Sequence, residues 1–148
     1  MTWDIGSHRL DLLKYWFGEI QPVSGERSNR VHGHAVEDTS ALRFKLPRQG
    51  NASAKVSFSW ASTNKVDRLE IETSQVSLIA DPLDGPDIIW IENGQERRET
   101  FLVPQNYHLP LIEDFIVAVK NGREPICSGQ EGRKVNQILE YLQTTLLV

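Results

Sequence analysis

The stretch KVSFSW, residues 55–60, decides the fold class, because here the apolar residues have changed from helical to alternating spacing. Valine, phenylalanine and tryptophan fall on one face of an extended chain, and lysine and serine fall on the other. Upstream, Leu10, Leu13 and Phe17 recur at the spacing of an amphipathic helix, which Gly18 can end. The change of period indicates an opening helix followed by a run of strands.

Further strands and two closing helices are predicted around this stretch. The predicted elements are strands at Ala41–Leu46, Leu69–Ile71, Val76–Ala80, Ile88–Ile91 and Thr100–Val103, with a hairpin turn at Asn93-Gly94, and helices over residues 4–17, 110–120 and 129–146. Ser128 is the expected N-cap of the last helix, and residues 21–30 have the composition of a loop.

This order of elements is typical of an α+β fold, in which a run of strands is followed by a run of helices. We expect one domain, residues 1–148, with an open sheet of about six strands that is mostly antiparallel or mixed. Helices should pack on one face of that sheet. The other face would then be available for a homo-oligomeric contact, as in a symmetric dimer.

The composition is that of a globular protein and excludes several classes of partner. Of the 148 residues, 39% are apolar and 24% are charged, and the net charge is −4. An acidic chain without clustered Lys and Arg does not fit a nucleic-acid or anionic-membrane surface, and no apolar run approaches the ~20 residues of a membrane span. The single cysteine, Cys127, excludes an internal disulfide and favours a reducing, cytoplasmic location.

The segment DIGSHRLD, residues 4–11, places polar residues on one side of the opening helix. At about 100° per residue, four side chains fall within an arc of roughly 60°; they are Asp4, His8, Asp11 and Tyr15. Spacing alone leaves two interpretations open. One is the solvated face of an amphipathic helix. The other is a general acid/base site, because an imidazole exchanges protons near neutral pH and a carboxylate one turn away can orient it.

Gly6 lies inside this segment, although glycine is unfavourable in a helix by up to about 1 kcal/mol relative to alanine. Two explanations are open. Another backbone or a cofactor approaches closely at this point, or the first turn is not fully helical.

The same segment resembles the D-x-G-x-H-x-x-D signature of the Gfo/Idh/MocA family of NAD(P)-dependent oxidoreductases. Residues further along continue the likeness, among them Trp16, Gly18, Glu19 and Val36–Thr39. The resemblance covers essentially the whole chain. It implies that His8 is the general base and that Asp4 orients it or contacts the substrate. It also implies that Asp11 contacts the substrate or supports the residues around the site. The implied reaction is oxidation of a sugar, cyclitol or related secondary alcohol, or the reverse reduction.

The resemblance also implies machinery that this sequence does not contain. It has no G-x-G-x-x-G turn of a dinucleotide-binding half, with Gly129–Gly132 as the nearest approach, and no Glu-Lys-Pro motif of the family. We expect the C-terminal substrate-binding and oligomerisation half of such an enzyme, as a natural truncation or a cloned piece, inactive alone. NAD or NADP would bind only with the missing N-terminal half or a separate dinucleotide-binding polypeptide. The alternative is a stand-alone binding or assembly module without redox chemistry.

Other polar and aromatic residues are candidates for binding a small polyol. Asn106 and Tyr107 precede a predicted helix, and both polyol recognition and ordinary helix-entry polarity explain them. Trp3 is of a residue type that can stack on a sugar ring. His32 and His34 would share one face of a strand, but no third ligand is tied to them by spacing, so no metal site is predicted.

Overall fold

The computed structural model describes residues 1–29, 31, 33 and 35–146, and the chain divides into two compact units. The first unit comprises Met1–Ser62 and Ile126–Val148, and the second comprises Thr63–Pro125. That the two units belong to one domain stays a prediction.

The elements alternate little between helix and strand. In chain order they are a π-helical turn (Thr2–Gly6), α1 (Ser7–Phe17), β1 (Gln21–Ser28), β2 (Thr39–Leu46), a 3-10 turn (Pro47–Gln49), β3 (Ala52–Ser59), β4 (Leu69–Glu72), β5 (Val76–Ala80), β6 (Asp87–Glu92), β7 (Gln95–Thr100), α2 (Leu109–Asn121), α3 (Gly129–Tyr141) and a closing π-helical turn (Leu142–Leu146). All strand pairings are antiparallel, and the predicted α+β class is confirmed.

The first unit is built on a three-stranded sheet in the order β1-β2-β3. Alternate residues of β2 are buried, and in register Leu42 lies opposite Val56 and Phe44 opposite Ala54. Residues of α1 and α3 pack on this face, as predicted. The core that they close consists of Met1, Leu10, Leu13, Ile20, Leu42, Phe44, Leu46, Phe58, Val135, Leu139 and Leu142.

Two side-chain contacts show that α1 and α3 run antiparallel. At the start of the opening segment, Trp3 Nε1 donates a hydrogen bond to Gln143 Oε1 at 2.7 Å. At the end of α1, Lys14 forms an ion pair with Glu131 in the first turn of α3. Hydrogen bonds from Lys134 and Lys14 lower the pKa of the Glu131 carboxyl to about 2, which keeps this residue charged.

The helix ends follow the signals in the sequence. Gly18 ends α1 with φ 76°, and its N–H donates to Lys14 O at 2.8 Å. Ser128 is the N-cap of α3, where its Oγ accepts a hydrogen bond from Glu131 N at 3.4 Å. Gly122 ends α2 in the left-handed conformation.

The second unit contains a four-stranded sheet in the order β4-β5-β6-β7. The predicted Asn93-Gly94 turn joins β6 to β7, with φ 52° and 76° at its two residues. Apolar residues share one face of this sheet, namely Leu69, Ile71, Val76, Leu78, Ala80, Ile88 and Trp90. α2 in the same unit has an exposed apolar surface that includes Leu111, Ile112, Phe115 and Ile116.

Two predictions about strands are wrong. The loop predicted over residues 21–30 is an edge strand, β1, whose Pro22 and adjoining bulge give it the composition of a loop. The strand predicted at Thr100–Val103 is also wrong. Because the turn has only two residues, β7 begins directly after it, at Gln95. The charged stretch QERRET therefore pairs with β6, and the strand ends at Thr100.

The number of sheets also differs from the expectation. The sequence predicts about six strands in one sheet, whereas the residues that the structure describes form seven, divided between sheets of three and four strands. Alternating patterns mark where strands run. They do not show which edges pair.

Gly6 is explained by the close approach of Phe58. A Cβ at residue 6 would lie 3.1 Å from Phe58 Cζ. Phe58 is 7% exposed and belongs to the core, so its ring cannot move aside freely. The approaching group is a side chain rather than the backbone or cofactor expected from the sequence. The second explanation applies, because Gly6 ends a turn that is π-helical rather than α-helical.

We expect Gly6→Ala to destabilise the first unit by about 1–3 kcal/mol, because overpacking against Phe58 outweighs the gain in helix propensity. Gly132→Ala is the matched control. Gly132 lies in α3 with open space around an added Cβ, so this substitution should stabilise the protein by up to about 1 kcal/mol. Urea unfolding of both variants measures the change in the free energy of unfolding. A change of the same sign in both variants would contradict the close-approach explanation.

Candidate functional site

The candidate site is a line of polar side chains along the opening helical segment of the first unit. All four predicted members are accessible to solvent, with Asp11 the least exposed; they are Asp4, His8, Asp11 and Tyr15. On the other side of the helix, Leu10 and Leu13 are buried in the core. The structure therefore brings the four residues together on one helical segment, outside the apolar interior of this unit.

The π-helical turn that carries Asp4 is held by hydrogen bonds from several directions. Thr2 N donates to Glu37 Oε1 at 2.7 Å, and Thr2 Oγ1 and Ser40 Oγ share a hydrogen bond at 2.9 Å. Ser7 Oγ donates to Asp4 O at 2.7 Å. The backbone at Asp4 is thereby fixed while its carboxylate stays in solvent, which suits a group that must meet a substrate in one geometry.

On an α-helix, four steps of about 100° would leave the side chains of Asp4 and His8 about 40° apart. The turn that carries Asp4 is π-helical and continues directly into α1, which carries His8. Such turns are frequent at functional sites.

Glu37 is the charged residue that anchors this turn. Burial of its side chain, which is 15% exposed, raises its pKa. Hydrogen bonds with the backbone and side chain of Thr2, helped by the Met1 amino group at 3.3 Å, outweigh burial and lower the pKa from 4.5 to about 2. The anchor is therefore an ionised carboxylate at neutral pH.

We expect this anchor to weaken in acid. The pKa of Glu37 is lower in the folded state than the ordinary 4.5, so its contribution is complete above about pH 5 and is lost as the pH falls from 4.5 towards 2. The loss amounts to at most about 3 kcal/mol. Urea unfolding between pH 7 and pH 2 should show a smaller pH dependence for Glu37→Gln than for the wild type. The exposed Glu19→Gln should keep the wild-type dependence, and equal behaviour of the two variants would count against the anchor.

Comparison with known families gives a match over more than half of the chain. Residues 1–79 match the model of the GFO/IDH/MocA C-terminal domain. The chain belongs to the GFO/IDH/MocA family. The matched stretch contains the whole polar line and the first sheet, and it confirms the resemblance carried by DIGSHRLD.

Solved structures share the fold of this GFO/IDH/MocA chain. UDP-N-acetylglucosamine 3-dehydrogenase from Acidithiobacillus ferrooxidans is 20% identical with a TM-score of 0.76, covering 97% of this chain and 46% of its own. An aldose-aldose oxidoreductase from Caulobacter crescentus, complexed with glycerol, is 21% identical with a TM-score of 0.80. The match covers 96% of this chain and 44% of that one. A variant 3-ketoreductase from Actinomadura kijaniata, in complex with TDP-benzene and NADP, is 12% identical with a TM-score of 0.82. The match covers 99% of this chain and 48% of that one.

The chain thus spans about half the length of these structures. A search of curated proteins found no match to the sequence.

The described residues of this GFO/IDH/MocA chain do not fit a dinucleotide site. Such a site needs a glycine-rich turn between a strand and the N-terminus of a helix. The nearest glycines, Gly129 and Gly132, lie in the first turn of α3, which follows a loop ending at Ser128. We therefore assign no cofactor contact to the described residues.

The other two predicted substrate residues lie in the second unit, next to α2. Asn106 Oδ1 accepts a hydrogen bond from His108 N at 2.9 Å, and Tyr107 Oη donates one to Asp84 O at 3.4 Å. Both polar groups have local partners, although Tyr107 is 61% exposed. Their contact with substrate stays a prediction.

Metal and membrane sites receive no support from the described part of the GFO/IDH/MocA chain. His32 and His34 lie outside the described residues. Among the residues that are described, no three of His, Cys, Asp and Glu are grouped so as to hold a metal ion. No helix in this part of the chain is long and apolar enough to cross a membrane.

Sequence reasoning missed two residues that support the polar line. Glu37 binds Thr2, and Gln143 binds Trp3, across 35 and 140 residues of sequence. Glu37 is visible in the sequence only as part of the family resemblance, and nothing there marks Gln143. Both contacts arise from tertiary packing, so no spacing rule could have found them.

Proposed function

We propose that this chain is the substrate-binding and oligomerisation half of an NAD(P)-dependent oxidoreductase acting on a sugar, cyclitol or related secondary alcohol. The main observation behind this proposal is that Asp4, His8 and Asp11 lie on the accessible side of a helix whose other side is buried. Family membership supports the proposal. So do the fold relatives, which are named as a dehydrogenase, an oxidoreductase and a ketoreductase.

In this proposal His8 exchanges the proton of the reacting hydroxyl. The imidazole accepts that proton during oxidation and returns it during reduction. Asp4 orients the ring and stabilises its charged form, as the acid of a catalytic triad does. The hydride acceptor, a nicotinamide dinucleotide, is bound by polypeptide other than the described residues.

The remaining candidates hold the substrate. Asp11 accepts hydrogen bonds from ring hydroxyls, and Tyr15 offers a phenol one turn further along the same line. Asn106 and Tyr107 are a separate prediction for the second unit, where they offer an amide and a phenol next to α2. The fixed backbone of the π-helical turn supplies positioning, because a reacting group held in place removes part of the entropic barrier.

The test of this function is reduction of NAD and NADP across a panel of sugars and cyclitols. The chain should be assayed alone, and again with a dinucleotide-binding half fused upstream or added as a separate polypeptide. We expect turnover only in the combined preparation. A complete absence of nicotinamide reduction there, with a folded protein, would favour a binding or assembly module.

We place the oligomeric contact on the apolar face of the second sheet, β4–β7. The open face of the first sheet is unsuited to it, because Arg43 lies opposite Lys55 and Lys45 is next along the strand. On the second sheet Ile71 lies opposite Leu78, and both are half-buried. Burying such a face against a second copy is favourable.

Sedimentation should therefore show species larger than the 16.8 kDa chain at micromolar concentration. Ile71→Lys should shift the population to the single chain, because a charge would be buried in the contact. The control, Ser57→Lys on the open face of the first sheet, should not. Circular dichroism checks that each variant is folded, and a wild type that sediments only as one chain would contradict the contact.

A further inference from the structure

We propose that Trp3 is an aromatic platform for the ring of the substrate and that Gln143 is the positioning residue that fixes its orientation. The inference rests on the proposed function, since it concerns the same site. It adds a substrate shape, a closed polyol ring with one face of C–H groups, and it gives the closing turn of the chain a role in recognition.

The exposure and bonding of Trp3 carry the inference. The side chain is 47% exposed and directly precedes Asp4. Its indole N–H nevertheless donates to Gln143 Oε1 at 2.7 Å. The polar edge of the indole is thus satisfied within the protein while much of the apolar ring is left to solvent. An exposed indole held in one orientation is suited to stacking.

The backbone is anchored at both ends of this hydrogen bond. Thr2, which precedes Trp3, is 3% exposed and is bonded to Glu37 and Ser40. Leu142, which precedes Gln143, is 0% exposed and belongs to the core. Neither partner can move far without breaking buried contacts. The ring is therefore ordered before a ligand arrives, and binding costs little side-chain entropy.

The chemistry of the ring selects the ligand. The face of an indole carries negative charge density, and the C–H groups on one side of a pyranose or cyclitol are weakly positive and apolar. A closed ring presents several such groups in one plane. A linear polyol with the same hydroxyls does not hold its C–H groups in one plane, so it gains less binding free energy from stacking.

Trp16 provides an internal comparison on the same helix. It is 43% exposed, nearly as much as Trp3, and its ring packs edge-to-face on Phe17 with centroids 6.4 Å apart. Among the described residues, Trp16 forms no hydrogen bond to a distant element. It is a matched control, a half-exposed tryptophan of α1 outside the polar line.

The test measures KM and kcat in the combined preparation for two ring substrates, glucose and myo-inositol, and for linear sorbitol. Trp3→Ala should raise KM for the ring substrates by roughly 3- to 10-fold, leaving kcat and the linear substrate little changed. Gln143→Leu should raise KM for the ring substrates about 2- to 3-fold. The KM of Trp3→Phe should lie between those of the wild type and Trp3→Ala. Trp16→Ala should match the wild type. An unchanged KM in Trp3→Ala, or equal losses for ring and linear substrates, would overturn the platform.

Failure of the platform and failure of the proposed function give different results. If His8→Ala lowers kcat by about 10²–10⁴-fold while Trp3→Ala keeps the wild-type KM, only the platform fails. If the wild type turns over no alcohol, the proposed function fails, and calorimetric titration with myo-inositol then tests the platform directly. Binding that Trp3→Ala weakens and Trp16→Ala does not would retain it, and no binding at all would overturn it.

Discussion

His8→Ala is expected to lower kcat of the combined enzyme by about 10²–10⁴-fold, the range for loss of a general base. His8 is accessible on the polar line, so an alcohol can approach its imidazole. An alanine leaves the hydroxyl proton with no acceptor at this position. KM and cofactor affinity should change little, because the role assigned to His8 is to exchange a proton in the reaction rather than to hold the ground state.

The control for this substitution is His108→Ala. His108 is also exposed and lies next to a helix, at the start of α2, but it is outside the polar line. Its removal should leave kcat near the wild-type value. Asp4→Asn should reduce kcat less than His8→Ala, since Asp4 acts through the imidazole. Wild-type turnover in His8→Ala would remove this residue from the mechanism.

Phe44→Ala is expected to cost about 3–5 kcal/mol of the free energy of unfolding. Phe44 is 1% exposed at the centre of the core between β2 and the covering helices. Small domains have only about 5–15 kcal/mol of stability, so the first unit should be partly unfolded at 37 °C. The helix that carries the polar line would lose its support, and activity should fall in parallel with folded population.

The matched control is Phe115→Ala on α2. Phe115 is 56% exposed, so its truncation should change the free energy of unfolding by no more than about 0.5 kcal/mol. Urea titration followed by tryptophan fluorescence measures both variants. A cost below about 1 kcal/mol for Phe44→Ala would show that the first sheet does not depend on this core.

The fold was predictable where one strong local signal acted alone. The apolar stripe of Leu10 and Leu13, the cap at Ser128 and the Asn93-Gly94 turn each specify a structure within a few residues. Edge strands were harder. β1 and β7 bury little, so their sequences lack the apolar alternation that reveals a strand, and only pairing with β2 and β6 shows them.

The candidate site divides in the same way. The polar line is a property of one helix, so residue spacing places Asp4, His8 and Asp11 together. The π-helical turn was not predictable, because its geometry depends on Thr2 reaching Glu37 and on Phe58 lying against Gly6. Such contacts depend on how distant segments pack, which alternation and spacing do not encode.

The first unit joins an early and a late stretch of polypeptide, and this has a consequence for biosynthesis. Val135, Leu139 and Leu142 complete its core, whereas the second unit uses one uninterrupted stretch. On the ribosome, Thr63–Pro125 can therefore collapse as soon as it emerges. The apolar side of α1 can be buried only after residues 126–146 have been synthesised. During that interval Leu10 and Leu13 stay exposed on the nascent chain, because the helix that covers them has not yet been synthesised.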